Sequence, residues 1–136
     1  MSDAPMTQGA HHIGLTVPDL ARTRDFFVDT LGYKQVGEMP DYPAAFVSDG
    51  ATMITLWQAE NPGTAARFNR RNGIGLHHLA LAVTDAGVLA DLHRMLASTA
   101  DVEVEFAPEP LGDGPTRHMM CAIPGGIRFE SIAPAG

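Results

Sequence analysis

The same phrase occurs twice in this chain. His11-His12-Ile13-Gly14-Leu15-Thr16-Val17-Pro18-Asp19 returns 66 positions later as His77-His78-Leu79-Ala80-Leu81-Ala82-Val83-Thr84-Asp85. Each copy is followed by an amphipathic helix pattern, so the 136 residues read as two half-domain modules within a single domain. The repeated histidines point to one site built by both modules.

Alternation fixes the opening strand, with Ile13, Leu15 and Val17 on one face and His12, Gly14 and Thr16 on the other. The branched face seeks a core, and the histidine face is small and polar. Pro18-Asp19 starts a helix that runs through Phe26, Phe27 and Leu31 to Gly32, a suitable residue just past a helix end. Strands follow at Tyr33 to Glu38, Ala44 to Ser48 and Ala51 to Gln58, the last two joined by an Asp49-Gly50 turn. Module one, about residues 10–58, therefore reads βαβββ. Residues 59–75 carry turn signals without a period and read as a linker.

Module two, about residues 76–133, repeats the order. A strand at Leu76 to Val83 puts Leu79, Leu81 and Val83 on the core and His78, Ala80 and Ala82 opposite. A helix from about Asp85 to Ser98 has Val88, Leu92, Met95 and Leu96 as its expected buried stripe, with His93 on the surface. Strands at Val102 to Phe106, Thr116 to Ile123 and Ile127 to Ile132 complete the module. The fold class expected is α+β, two paired βαβββ modules whose helix-free sheet faces curl around a cavity.

Composition narrows the partners. Sixteen acidic against nine basic residues give a formal charge of −7, which disfavours nucleic acid and anionic membranes. The opening residues lack the pattern of a leader, and no apolar run approaches the ~20 residues that span a bilayer, so a cytoplasmic protein is expected. Cys121 is the single cysteine and has no activating neighbour in sequence. Arg67, Arg70 and Arg71 read as a solvated linker cluster, with anion binding as a lesser alternative.

The cavity-facing residues carry the chemistry. Gly14, Ala80 and Ala82 are too small to fill the space beside His12 and His78, which leaves room for a ligand. On the last strand Glu130 shares a face with Arg128 and Ile132, and by internal symmetry Thr55 stands where module two has Glu130. Met53, Thr55 and Trp57 share the corresponding face and are the expected substrate-pocket residues, although Met53 and Trp57 also suit a core. His12, His78 and Glu130 form an N,N,O set with open positions, suited to a divalent Zn, Ni, Fe, Mn or Co ion. A buried carboxylate needs a partner, so Glu130 requires a metal, Arg128, Arg117, a proton or water. Each of these residues also has a structural alternative, a hydrogen-bonded strand histidine or an edge-strand charge.

Together, His12-Ile13-Gly14-Leu15-Thr16-Val17-Pro18-Asp19-Leu20, Phe26-Phe27 through Leu31-Gly32, His78 to Val83, and Pro124-Gly125-Gly126-Ile127-Arg128-Phe129-Glu130 resemble the vicinal oxygen chelate superfamily. That group includes glyoxalase I, methylmalonyl-CoA epimerase, extradiol dioxygenases, and fosfomycin and bleomycin resistance proteins. The resemblance implies paired βαβββ modules around a divalent metal held by His12, His78 and Glu130, in a homodimer. A glyoxalase I would carry Glu near Thr55, and an extradiol dioxygenase would carry Tyr near Met120.

The function expected is a metal-dependent lyase, isomerase or epimerase acting on a small-molecule substrate that chelates the ion through neighbouring oxygens. Glu130 is the candidate general base and His118 a candidate acid/base. The alternatives are an Fe(II) extradiol-type dioxygenase and a metal-free binding or resistance protein of the bleomycin/fosfomycin type.

Overall fold

The structure is a computed structural model that describes residues 3–134. The chain divides into two compact units, up to Gly63 and from Thr64 onward. The first unit contains β1 (His12–Val17), α1 (Leu20–Asp25), β2 (Lys34–Met39), β3 (Ala44–Ser48) and β4 (Met53–Gln58). The second contains β5 (Leu79–Ala82), α2 (Ala86–Ala97), β6 (Glu103–Pro110), β7 (Arg117–Ala122) and β8 (Arg128–Ala133). Each is a βαβββ unit with one four-stranded mixed sheet, ordered β1-β4-β3-β2 and β5-β8-β7-β6. The opening strand pairs in parallel with the last, and the remaining pairings are antiparallel.

The repeated aspartate explains why both helices begin where they do. Asp19 and Asp85 are the N-caps, and their carboxylates accept from the backbone N–H groups of Arg22 and Val88 at 3.2 and 2.9 Å. Each thereby satisfies a donor that the first turn leaves without an intrahelical partner. Gln58 reinforces the first start: its amide donates to the Pro18 carbonyl at 2.8 Å and its oxygen accepts from Leu20 N–H at 2.9 Å.

The first helix departs from the expected continuous α-helix. Residues Phe26–Thr30 form a π-helical turn, in which Leu31 N–H reaches the carbonyl of Phe26 five residues back. The wider turn lets the adjacent Phe26 and Phe27 both enter the core, where Phe27 is fully buried. Gly32 ends the segment at φ +81°, as a left-handed terminator should.

Helix α2 also corrects its expected stripe. Leu89 and Leu96 are fully buried, Leu92 and His93 are half-buried, and Val88 and Met95 are exposed at 41% and 40%. The apolar face is thus centred on the 89–92–96 spacing, one residue out of phase with Val88. Strand ends shift as well: β6 runs on to Pro110, and β5 begins at Leu79 so that His78 immediately precedes it. No helix among the described residues is long and apolar enough to cross a membrane.

Candidate functional site

In the second unit, register decides what can meet. Strand β8 pairs Glu130 with Ala80 of β5 on one side and with Met120 of β7 on the other. His118 lies two residues from Met120 on the same face of β7, within diagonal reach of Glu130. His78 leads into β5 from the same side. The result is a buried carboxylate with an imidazole on each oxygen. His78 Nε2 is 3.1 Å from Glu130 Oε1, and His118 Nδ1 is 2.5 Å from Glu130 Oε2.

Burial sharpens the contrast between these groups. The side chains of Glu130 and His118 are 8% and 12% exposed, whereas His78 remains 35% exposed. The far nitrogen of His118, Nε2, lies 3.9 Å from Oε1 of the solvent-facing Glu109. His118 therefore stands between an outer carboxylate and an inner one. Phe106 holds its ring at a centroid distance of 4.9 Å.

Neither arginine expected as a partner hydrogen-bonds to Glu130, although the Glu130 charge still acts on Arg128 and favours its protonated guanidinium. Arg117 donates to the carbonyl of Pro108 at 3.0 Å. Arg128 makes a two-point contact with Glu105, Nε to Oε1 at 3.0 Å and Nη2 to Oε2 at 2.8 Å. Arg70 joins the same carboxylate at 3.2 Å, so at least this member of the arginine cluster is ion-paired. The Arg128 hydrogen bonds, with added attraction from Arg70, hold the Glu105 carboxyl at about 2 against an ordinary 4.5. Because the folded state holds the lower value, the unfolded chain takes up a proton first as the pH falls. Stability from Glu105 is therefore present above about 4.5 and is lost as pH falls through about 2. In denaturant titrations across that window, the stability gap between wild type and Glu105→Gln is expected to narrow. A gap unchanged with pH would remove this ion pair from the acid response.

Arg70, Arg71, Glu105 and Arg128, with Phe68 and Ala122, line a cleft of about 440 Å³ in the second unit. Its wall offers charged donors and acceptors together. Cys121, on β7, is buried, and desolvation pushes its thiol up to about 11, far from the range of a reactive thiolate.

The first unit places its candidates differently. His12 opens β1 in register with Met53 of β4, and Gly14 is opposite Thr55. The Thr55 hydroxyl accepts from the Trp57 indole N–H at 2.9 Å and is directed at the carbonyl of Ile13 at 3.5 Å. A Cβ at Gly14 would stand 3.1 Å from that hydroxyl, so glycine makes room for the pair. Trp57 also packs edge-on with Tyr42, and Phe46 lies near it, forming an aromatic wall that is partly open. Met53 is half-buried beside it.

Sequence reasoning did not anticipate the outer partners. Glu105, Glu109 and His77 take part in the second unit's network, and His11 and His77 contact their neighbours His12 and His78 through Nδ1 at 2.9 and 2.8 Å. The duplication of both histidines, not one, was the available signal.

Comparison with known proteins shows the family and the fold. Residues 9–131 match the family model described as Glyoxalase/Bleomycin resistance protein/Dioxygenase superfamily. The chain belongs to that superfamily. A 2-epi-5-epi-valiolone epimerase from Actinomyces sp is 29% identical over 155 residues, covering 97% of this chain and 83% of the relative. Among solved structures, a glyoxylase/bleomycin resistance protein/dioxygenase domain from Frankia sp. EAN1pec matches with a TM-score of 0.79 at 23% identity. That match covers 93% of this chain and 98% of the other. Lactoylglutathione lyase from Agrobacterium tumefaciens matches with a TM-score of 0.70 at 18% identity, covering 96% and 97%. These structural likenesses establish the glyoxalase-like α+β fold.

Within this superfamily member, the described residues contain no ready-made cluster of three or more His, Cys, Asp or Glu side chains for a metal. What the second unit does contain is a two-donor edge. Two donors each about 2.1 Å from one cation are about 3.0 Å apart at the right angles of an octahedral site and about 3.4 Å apart at a tetrahedral angle. The 3.1 Å between His78 Nε2 and Glu130 Oε1 is near the first spacing and is equally the length of a hydrogen bond from a protonated imidazole nitrogen. His118 has its near nitrogen committed to the other oxygen of Glu130 and is placed to orient the carboxylate.

Proposed function

We propose that this protein is a metal-dependent epimerase or isomerase that removes and returns a proton beside the carbonyl of a small oxygenated substrate. The observation that carries this reading is Glu130, a buried carboxylate with His78 on one oxygen and His118 on the other. The likeness to an enzyme named for epimerising 2-epi-5-epi-valiolone supports this chemistry over other activities in the superfamily. His78 and Glu130, both of the second unit, would hold a divalent ion. The metal, when bound, supplies a Lewis acid for the negative charge that develops on substrate oxygen.

The chain's own groups handle the proton. Glu130 is the base in this reading, since it is a buried carboxylate whose Oε2 is held by His118 while Oε1 faces His78. His118 fixes that carboxylate through Nδ1–H and, with Nε2 towards Glu109, offers a path by which a proton can reach solvent. The homodimer remains part of this reading because each module leaves one sheet face without a helix.

Incubation in deuterium oxide with a panel of small α-hydroxy ketones, including 2-epi-5-epi-valiolone, tests the proposal. The expected result is metal-dependent replacement of one carbon-bound hydrogen, seen by proton NMR. Absence of exchange across the panel by protein loaded with each of Zn, Ni, Fe, Mn and Co would overturn it.

A further inference from the structure

The two histidine pairs share a geometry that the proton-transfer reading does not use. In each, the two Nδ1 atoms face one another, at 2.9 Å for His11 and His12 and at 2.8 Å for His77 and His78. The ring centroids are 5.1 Å apart in both pairs, with interplanar angles of 82° and 77°. A neutral imidazole has one N–H, so such a contact requires the hydrogen on one Nδ1 and a lone pair on the other. Geometry within the pair leaves two arrangements open.

A third group distinguishes them in the second unit. Arg128 Nη1 lies 3.5 Å from His77 Nδ1, at the outer limit of a hydrogen bond. Guanidinium is a donor only, so an N–H on His77 Nδ1 would oppose it, whereas a lone pair there is favoured. Arg128 is itself held by the two-point contact with Glu105, which Arg70 reinforces. In the first unit the corresponding position is Met53, in register with His12 and one before Ile54 as Arg128 stands one before Phe129, and a thioether cannot donate in this way.

We infer that Arg128, acting through His77, is a positioning residue that biases His78 towards the Nδ1–H tautomer and keeps its Nε2 lone pair available as a donor. Glu130 Oε1, 3.1 Å from that Nε2, pulls the other way in the absence of a cation by favouring Nε2–H. The balance is therefore set between Arg128 behind the ring and Glu130 in front of it, and a cation at the donor edge settles it in favour of Nδ1–H. This inference rests on reading His78 as a donor, and its test reads the tautomer separately from any activity.

The test is long-range proton–nitrogen NMR of metal-free protein labelled with ¹⁵N-histidine, at about pH 9 where ordinary imidazoles are neutral. Wild type is compared with Arg128→Met and with His77→Phe, a change at an exposed position that leaves the Arg128–Glu105 contact in place. The expected result is a larger Nδ1–H fraction at His78 in wild type than in either variant. Competition titrations with zinc alone should show affinity weakened about tenfold in both variants. The same His78 tautomer fraction in all three proteins overturns the inference. If the fractions differ as expected but wild type binds no zinc, the tautomer assignment stands and the metal reading of the site falls.

Discussion

Glu130→Gln should abolish proton exchange at the substrate carbon while leaving the fold intact. The substitution keeps size and burial but removes the negative charge and the proton-accepting oxygen pair. His78 and His118 then face an amide instead of a carboxylate, so the base and one charged donor are lost together. Removing a positioned general base costs typically 10²–10⁴-fold. Weaker metal retention adds to this, so a loss of roughly 10³-fold or more is expected in the deuterium-exchange assay. The circular dichroism spectrum and melting temperature should remain close to wild type, because an amide can still hydrogen-bond to both imidazoles. Undiminished exchange would assign the base to another residue.

The largest effect on stability is expected from Phe27→Ala. Phe27 is fully buried in the π-helical turn and packs edge-on against Phe26 and Tyr33, with centroids 5.6 and 5.1 Å away. Alanine leaves a cavity that neither ring can fill from its own position. The cost is about 3–5 kcal/mol. For a chain of this size the melting temperature should fall by about 10 °C or more. Val88→Ala is the natural control. It removes an apolar side chain of the second helix that is 41% exposed, and it should change stability by less than about 0.5 kcal/mol. Equal losses for the two would mean that the core does not lie where these burial values put it.

The parts that sequence made legible are those set by local rules. Alternation in His12 to Val17 and in the last strand determined faces, and the repeat supplied the order β, α, β, β, β twice over. The duplicated Asp19 and Asp85 mark both helix starts because a carboxylate that caps an open N–H of the first turn is a local device. Side selection was enough to place His78 and Glu130 on a common face, one residue apart in register from Leu79 and Phe129.

What failed depended on offsets that only packing decides. In α2 the expected Leu92 and Leu96 do face inward, but Leu89 takes the place expected for Val88 and Met95 is exposed, since Val88 and Leu89 are both apolar and only packing chooses between them. Arg128 was available to Glu130 on the same strand face, yet irregular register in β6 brings Glu105 to it. His118 is opposite Ile132, so its contact with Glu130 is diagonal and needs the side-chain directions as well as the pairing. The widened turn at Phe26 and Phe27 has no sequence marker beyond two adjacent aromatic residues that both need burial.

The central claim is that His78 and Glu130 form a donor edge for a divalent ion on which the proton chemistry depends. Elemental analysis of untagged protein tests it most directly, with wild type and His78→Ala grown side by side in medium supplied with Fe, Mn, Ni, Co and Zn. The account predicts about one equivalent of a single divalent metal in wild type and a large loss in the variant. No bound metal in either protein, even after reconstitution, would contradict it and leave a metal-free small-molecule binding protein as the better description.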